Sequence, residues 1–210
     1  MPDYTLKLSL TSKQLETFYP SSNIIVAKPN DGEAPAVAWQ SFHPFENNTL
    51  TWEEQYGIYV SSASVEHGAQ LTRMSSSHVP AVEQKMYTLG GDAVFSDPPE
   101  ASTGKKGSFY AENDYEEPQA LTFGLFQDAM VNGQSVPGNA LSAVSVPHAN
   151  TATMTPHTTL YIWIESDVPS NTVVTEVDSH QTEAVFGDGV SEISLTYDDQ
   201  SGEFVPKASA

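Results

Sequence analysis

The residues best suited to chemistry in this chain cluster around Trp52-Glu53-Glu54-Gln55-Tyr56-Gly57-Ile58-Tyr59. This hairpin-sized segment holds an indole, two phenols and three polar or acidic groups. Sugar recognition needs a flat apolar face to stack on the ring and acceptors to fix the hydroxyls. Trp52 and Tyr56 offer the face. Glu53, Glu54 and Asn48 offer the acceptors, with Glu46 and Asn47 just upstream. The competing reading makes Trp52, Tyr56 and Ile58 the buried side of an alternating strand pair, because large aromatics dominate β cores. Mutation separates the two: Trp52→Ala leaves stability nearly unchanged if the indole is exposed, and lowers it strongly if the indole is core.

Other chemistries find less support. A nucleophile elbow of the Gly-x-Ser-x-Gly type is missing, and so is a Walker-type phosphate loop. Gly104-Lys105-Lys106-Gly107-Ser108 lacks the leading glycine spacing and reads as a flexible basic loop. The histidines (His43, His67, His78, His148, His157 and His180) never pair at the short spacing from which zinc sites draw two ligands. Oxygen donors gather in Glu112-Asn113-Asp114-Tyr115-Glu116-Glu117 and in Asp198-Asp199-Gln200-Ser201-Gly202-Glu203. Neither matches a calcium-binding EF-hand loop, and a turn built from Asp and Gly explains the second equally well. No metal or cofactor is expected. An enzymatic site assembled from residues distant in sequence stays open, since such sites are recognised by geometry.

Charge narrows the partners. The chain has 210 residues with 8 Lys and Arg against 27 Asp and Glu, a formal charge of −19. Nucleic-acid binders must supply cations to displace counterions, so nucleic acid is not an expected partner. The same repulsion opposes electrostatic adsorption to anionic lipid, and it favours solubility. There is no cysteine, which removes disulfides and thiolate metal sites. The N-terminus shows neither a basic nor an apolar region of a signal peptide, and no apolar run approaches the ~20 residues of a membrane span. The compartment is left undetermined.

The elements that must position these residues read mainly as strands. Tyr4 to Leu10 alternates, with Tyr4, Leu6, Leu8 and Leu10 on one face. Thr11 to Tyr19 is the best helical stretch, with Ser12 as its expected cap, Leu15 and Phe18 on one face and Pro20 ending it. Asn23 to Ala27 is a compact apolar strand followed by the turn chemistry of Pro29-Asn30-Asp31-Gly32. Ala36 to Phe42, Leu50 to Trp52 and Gln55 to Ser61 follow, then weaker strands at Ala69 to Met74 and Lys85 to Leu89. Gly90 to Gly107 reads as a long irregular loop. Leu121 to Val131 fits either a helix or a strand, and its strand-rich surroundings favour strand. Leu141 to Val146, Thr158 to Glu165, Asn171 to Val177, Thr182 to Phe186, Ser191 to Tyr197 and Phe204-Val205 complete the series. Tyr161-Ile162-Trp163-Ile164 is apolar on both faces, as a strand covered on both sides requires.

Short strands at regular spacing predict one all-β domain over residues 1–210, an antiparallel two-sheet β-sandwich with one short helix near the N-terminus. The expected function is non-enzymatic recognition of a glycan or another cell-surface ligand through the aromatic and acidic residues around Trp52. A membrane-active role is the alternative, using the low-charge stretch Leu121 to Val146 as a hairpin with Pro137 in its turn. A structural, self-assembling role also fits an acidic β domain, so homo-oligomerisation is left open.

Overall fold

The computed structural model describes residues 3–29, 35–98, 104–117, 120–177 and 179–207. The turn expected at Asn30-Asp31-Gly32 and part of the expected loop, 99–103, lie outside them. In chain order the elements are β1 (Asp3–Ser9), α1 (Ser12–Phe18), β2 (Ser22–Pro29), β3 (Pro35–Phe42), β4 (Asn47–Glu53), β5 (Gly57–Ser61), β6 (Ser75–Ser76), β7 (Met86–Leu89) and β8 (Phe109–Asn113). There follow β9 (Ala120–Val131), β10 (Gln134–Ala140), β11 (Val144–Pro147), β12 (Asn150–Met154), β13 (Thr159–Ser166), β14 (Thr172–Val173), β15 (Thr182–Val185), β16 (Glu192–Asp198) and β17 (Glu203–Pro206). Among the described residues no helix is long and apolar enough to cross a membrane.

The all-β class holds, but the expected pair of antiparallel sheets does not describe the arrangement. Among the described residues three sheets form: β17-β16-β1-β4-β9-β5-β6 with β10 and β11 joined to β9, then β14-β3-β2-β13-β15, then β12-β8-β7. β1 pairs with β16 in parallel, and β7 with β8 in parallel. Hairpin patterns are legible locally, whereas a parallel pairing needs a long crossover and leaves no turn signature between its partners. One core draws on all three sheets, with Leu6, Leu50 and Ile58 meeting Val26 and Ile162 from the second sheet and Leu89 and Met154 from the third.

Local patterning explains most elements. In β1 the buried residues are Tyr4, Leu6 and Leu8, as alternation requires. The helix is capped by Thr11 rather than Ser12: Thr11 Oγ1 accepts from the Gln14 backbone N–H, and Gln14 Oε1 accepts from the Thr11 N–H. Gln14 then ties the helix to the β16–β17 turn by donating to the Tyr197 carbonyl and to Asp199. β13 is central, between β2 and β15, with Ile162 in the main core and Trp163 in a second cluster behind β2. The strand expected at Ala69 to Met74 reduces to a single bridge, Gln70 to Thr172. Conversely β8, β10 and β12 form from polar or Gly- and Pro-bearing segments that carry little apolar periodicity.

β9 resolves the helix-or-strand ambiguity in favour of strand, and it is the hub of the largest sheet. β4 and β5 share one of its edges, and β10 and β11 share the other. The segment between β10 and β11 crosses directly over Gly124, where a Cβ would stand 1.9 Å from the Ser142 carbonyl oxygen and 2.5 Å from the Tyr59 ring. That carbonyl accepts the Tyr59 hydroxyl at 2.7 Å, so it has little room to retreat. Gly124→Ala is therefore expected to lower stability by about 1–3 kcal/mol through overpacking. A urea unfolding midpoint equal to that of the native chain would show that the crossing can move aside.

Candidate functional site

Alternation along β4 decides the fate of the predicted binding segment. Asn48, Leu50 and Trp52 are buried, while Thr49, Thr51 and Glu53 face outward. Trp52 is only 4% exposed, and it stacks on Tyr4 with centroids 5.5 Å apart. The edges of Trp39 and Phe186 close around it at 5.7 and 5.0 Å. Tyr56 is also buried, edge-on to Phe109. Both rings are thus packed into the core rather than displayed on the surface, although Trp52 still borders the cleft described below.

Their occupant is internal. The Lys28 ammonium lies 5.2, 5.3 and 5.5 Å from the ring centroids of Trp39, Trp52 and Tyr56. It donates to Glu54 Oε1 at 3.1 Å and to Gln127 Oε1 at 2.9 Å. Glu54 also accepts from the Trp52 indole N–H at 2.8 Å and from the Tyr56 hydroxyl. Rings and carboxylate thus make an aromatic cation cage, filled by the chain's own lysine. Burial holds the Lys28 ammonium below the ordinary lysine range, and the Glu54 carboxylate opposes that shift. Sequence reading passed over Lys28, although it shares the face of Ile24 and Val26 in β2. A lysine on the inward side of an apolar strand was the available signal.

The other predicted residues separate. Asn48 is buried and works on its own loop: its Nδ2 donates to the Phe45 carbonyl at 2.7 Å, and its Oδ1 accepts the Phe45 N–H at 2.9 Å. Glu53 is exposed and accepts from Gln55 at 2.7 Å.

Glu53 instead borders a cleft that the sequence did not reveal. β4 pairs with β9 only at Leu50–Val131 and Thr51–Met130, and β5 takes over from Gly57–Phe126. Residues 127–129 of β9 therefore lack a strand partner on that edge. The Gln127 side chain fills part of the gap by donating to the Glu53 carbonyl at 2.6 Å. The parting opens a cavity of about 520 Å³. Its walls carry the carboxylates of Asp3, Glu53 and Asp128, the hydroxyls of Thr5 and Thr51, and the exposed apolar side chains Val79 and Met130. Among the described residues no Lys or Arg lines it. Asp3 and Glu53 are register partners across β1 and β4. Asp128 Oδ1 accepts the Gly138 N–H at 2.6 Å.

The acidic segments considered for calcium serve the fold. Asp198 Oδ2 accepts the Ser201 N–H at 3.0 Å, and this bond lowers the Asp198 pKa below the usual carboxylate range. Glu112 accepts from Thr88, and Asn113 donates to the Val146 carbonyl. Among the described residues, no group of three His, Asp or Glu side chains is placed to hold a metal ion.

The Leu121 to Val146 stretch becomes β9, β10 and the start of β11. Its hairpin turn falls at Asn132-Gly133, both at positive φ, rather than at Pro137, which sits in a register break of β10. These features define an all-β protein with a buried lysine cage and an acidic cleft beside it. Comparison of the chain with family models, with curated proteins and with solved structures found no match.

The cage makes three stability predictions. Trp52→Ala should cost about 3–5 kcal/mol, as for a core indole. Lys28→Met should cost a similar amount, about 3–5 kcal/mol, by leaving Glu54 without its cation. Adding Glu54→Gln to Lys28→Met should recover part of that loss. Urea unfolding measures all three, and a Lys28→Met variant with the native midpoint would show that the pair does not hold the sheets together.

Proposed function

We propose that this chain is a non-enzymatic recognition protein that binds a cell-surface ligand in the cleft where β4 parts from β9. The observation that carries this reading is the parting itself, a break in the sheet that makes a concave, partly apolar surface of ligand size. Carboxylates without a lining cation favour a ligand that brings positive charge. Threonine hydroxyls beside them suit a hydroxylated one. An amino sugar combines both features, and the chain's charge of −19 would draw such a ligand at low salt. The acidic half of the sequence-based reading is thereby kept through Glu53, and the stacking half is given up.

A membrane-active role fits less well. β9 has the length of a membrane strand, but it is bonded along most of both edges, with residues 127–129 of one edge unpaired, and it carries the centre of the core. Releasing it would dismantle the largest sheet. Self-assembly has no specific observation in its favour.

Titrating the full chain with glucosamine and with glucose tests the proposal. Glucosamine should bind with an affinity that falls as salt is raised, and glucose should bind much more weakly. Glu53→Gln and Asp3→Asn should each weaken glucosamine by about tenfold, the loss of one charge-assisted hydrogen bond. Both residues are exposed, so thermal stability should be unaffected. Equal binding of the two sugars, or binding indifferent to Glu53, would overturn it.

A further inference from the structure

Arg73 is the single arginine of a chain whose formal charge is −19. It stands just before β6, between two backbone anchors. The Leu71 N–H donates to the Asn171 carbonyl at 2.9 Å, and the Met74 N–H donates to the Val60 carbonyl at 2.8 Å. The side chain is exposed, yet its head is held on two sides. The guanidinium carbon lies 3.8 Å from the centroid of the Phe126 ring, and one terminal N–H donates to the Gly138 carbonyl. Both supports exist because side chains are missing. The Phe126 ring occupies space that a Cβ at Gly57 would need, and the guanidinium occupies space that a Cβ at Gly138 would need. Gly138 has a φ of +64°, which also favours glycine there.

What the guanidinium lacks is a carboxylate. Among the described residues no Asp or Glu oxygen lies within ion-pair distance of it. The acidic side chain acting most on it is Asp128, whose Oδ1 accepts the Gly138 N–H at 2.6 Å. Partial burial pulls the Arg73 pKa below the ordinary arginine range, and a bound anion would oppose that fall. Arg73 borders a cavity of about 180 Å³, whose walls include Tyr59, Leu71, Pro137 and Asn139 and, among the described residues, no Asp or Glu. The Tyr59 hydroxyl is engaged with the Ser142 carbonyl, and the Asn171 and Asn139 side chains bond to each other. A guanidinium carries five N–H donors in a fixed fork, and the bond to Gly138 uses one of them.

We infer that this cavity binds the carboxylate of a small organic acid, with Arg73 donating to both carboxylate oxygens. Stacking on Phe126 and the bond to Gly138 fix the guanidinium plane in advance, and a fixed planar fork matches a carboxylate. A singly charged carboxylate also meets less repulsion from this acidic chain than a phosphate dianion would. The site is separate from the acidic cleft, and its failure would leave the amino-sugar reading standing.

The test is NMR of the full, isotopically labelled chain at neutral pH and constant ionic strength, titrated with acetate, acetamide and inorganic phosphate. Acetate should shift the Arg73 Nε–H and the backbone amides of Gly138 and Asn139 saturably. Acetamide should leave them in place, and phosphate should bind more weakly than acetate. The amides around Glu53 should not respond to acetate, which separates this site from the cleft. Arg73→Lys should weaken acetate by about tenfold, because it keeps the charge and loses the second hydrogen bond. Arg73→Met, which keeps an apolar stem beside Phe126, should abolish the shifts, and Arg73→Lys decides the matter if that variant does not fold. An acetate response that does not saturate, an equal response to acetamide, tighter binding of phosphate, or acetate binding undiminished in either variant would overturn the inference. Arg73 would then be a tie between β10 and the segment leading into β6.

Discussion

The architecture turns on a buried cation. Lys28 sits at 1% exposure between the two larger sheets, where an unpaired ammonium could not be tolerated. It is met by Glu54, Gln127 and the faces of Trp39, Trp52 and Tyr56, drawn from β3, from β9, and from β4 and the link leading into β5. Attraction to three ring faces and one carboxylate offsets the loss of water, and each partner is held in turn. The Trp39 indole donates to the Gln127 carbonyl, and the Trp52 indole donates to Glu54. A network satisfied in this way specifies one packing of the sheets, because any slip in register would leave a charge or a donor stranded.

The acidic cleft is a consequence of that network. Turning Trp52, Glu54 and Tyr56 toward Lys28 leads the chain away from β9 after Thr51, and β5 rejoins β9 only at Phe126. In between, Gln127 spends its side-chain oxygen on Lys28 and its side-chain nitrogen on the Glu53 carbonyl, standing in for the missing strand pairing. The outward residues flanking this gap are Asp3, Glu53 and Asp128. Core chemistry and surface chemistry are therefore coupled: the inward half of an alternating segment serves the cage, and the outward half lines the cleft.

Asparagine and glutamine do a comparable share of the fixing elsewhere. Asn48 clamps the Phe45 loop, Asn132 receives the Thr49 N–H at the tip of the β9–β10 hairpin, and Asn171, Asn139 and Gln40 form a polarised chain from β10 to β3. With no disulfide available, buried amides join segments distant in sequence. They also carry directional information, since each amide's orientation determines that of the next.

Much of the local structure was legible in the residues. Alternation in β1, apolarity on both faces of β13, and the helix from Ser12 to Phe18 follow from periods of two and 3.6 and from capping chemistry. Short strand patterns at regular spacing, separated by turn residues, pointed to the all-β class in the same way. The Trp52 segment reads from the sequence as a sugar-stacking surface, whereas in the structure Trp52, Tyr56 and Glu54 surround Lys28. Periodicity says which side chains share a face, but it cannot say whether that face looks out to solvent or in toward another sheet. Nor could it show that Lys28, far upstream, would arrive in the cage, that β1 would lie parallel to β16, or that β4 would part from β9. Pairing between strands distant in sequence depends on which whole arrangement buries the core and satisfies every interior polar group, and only the assembled chain decides that.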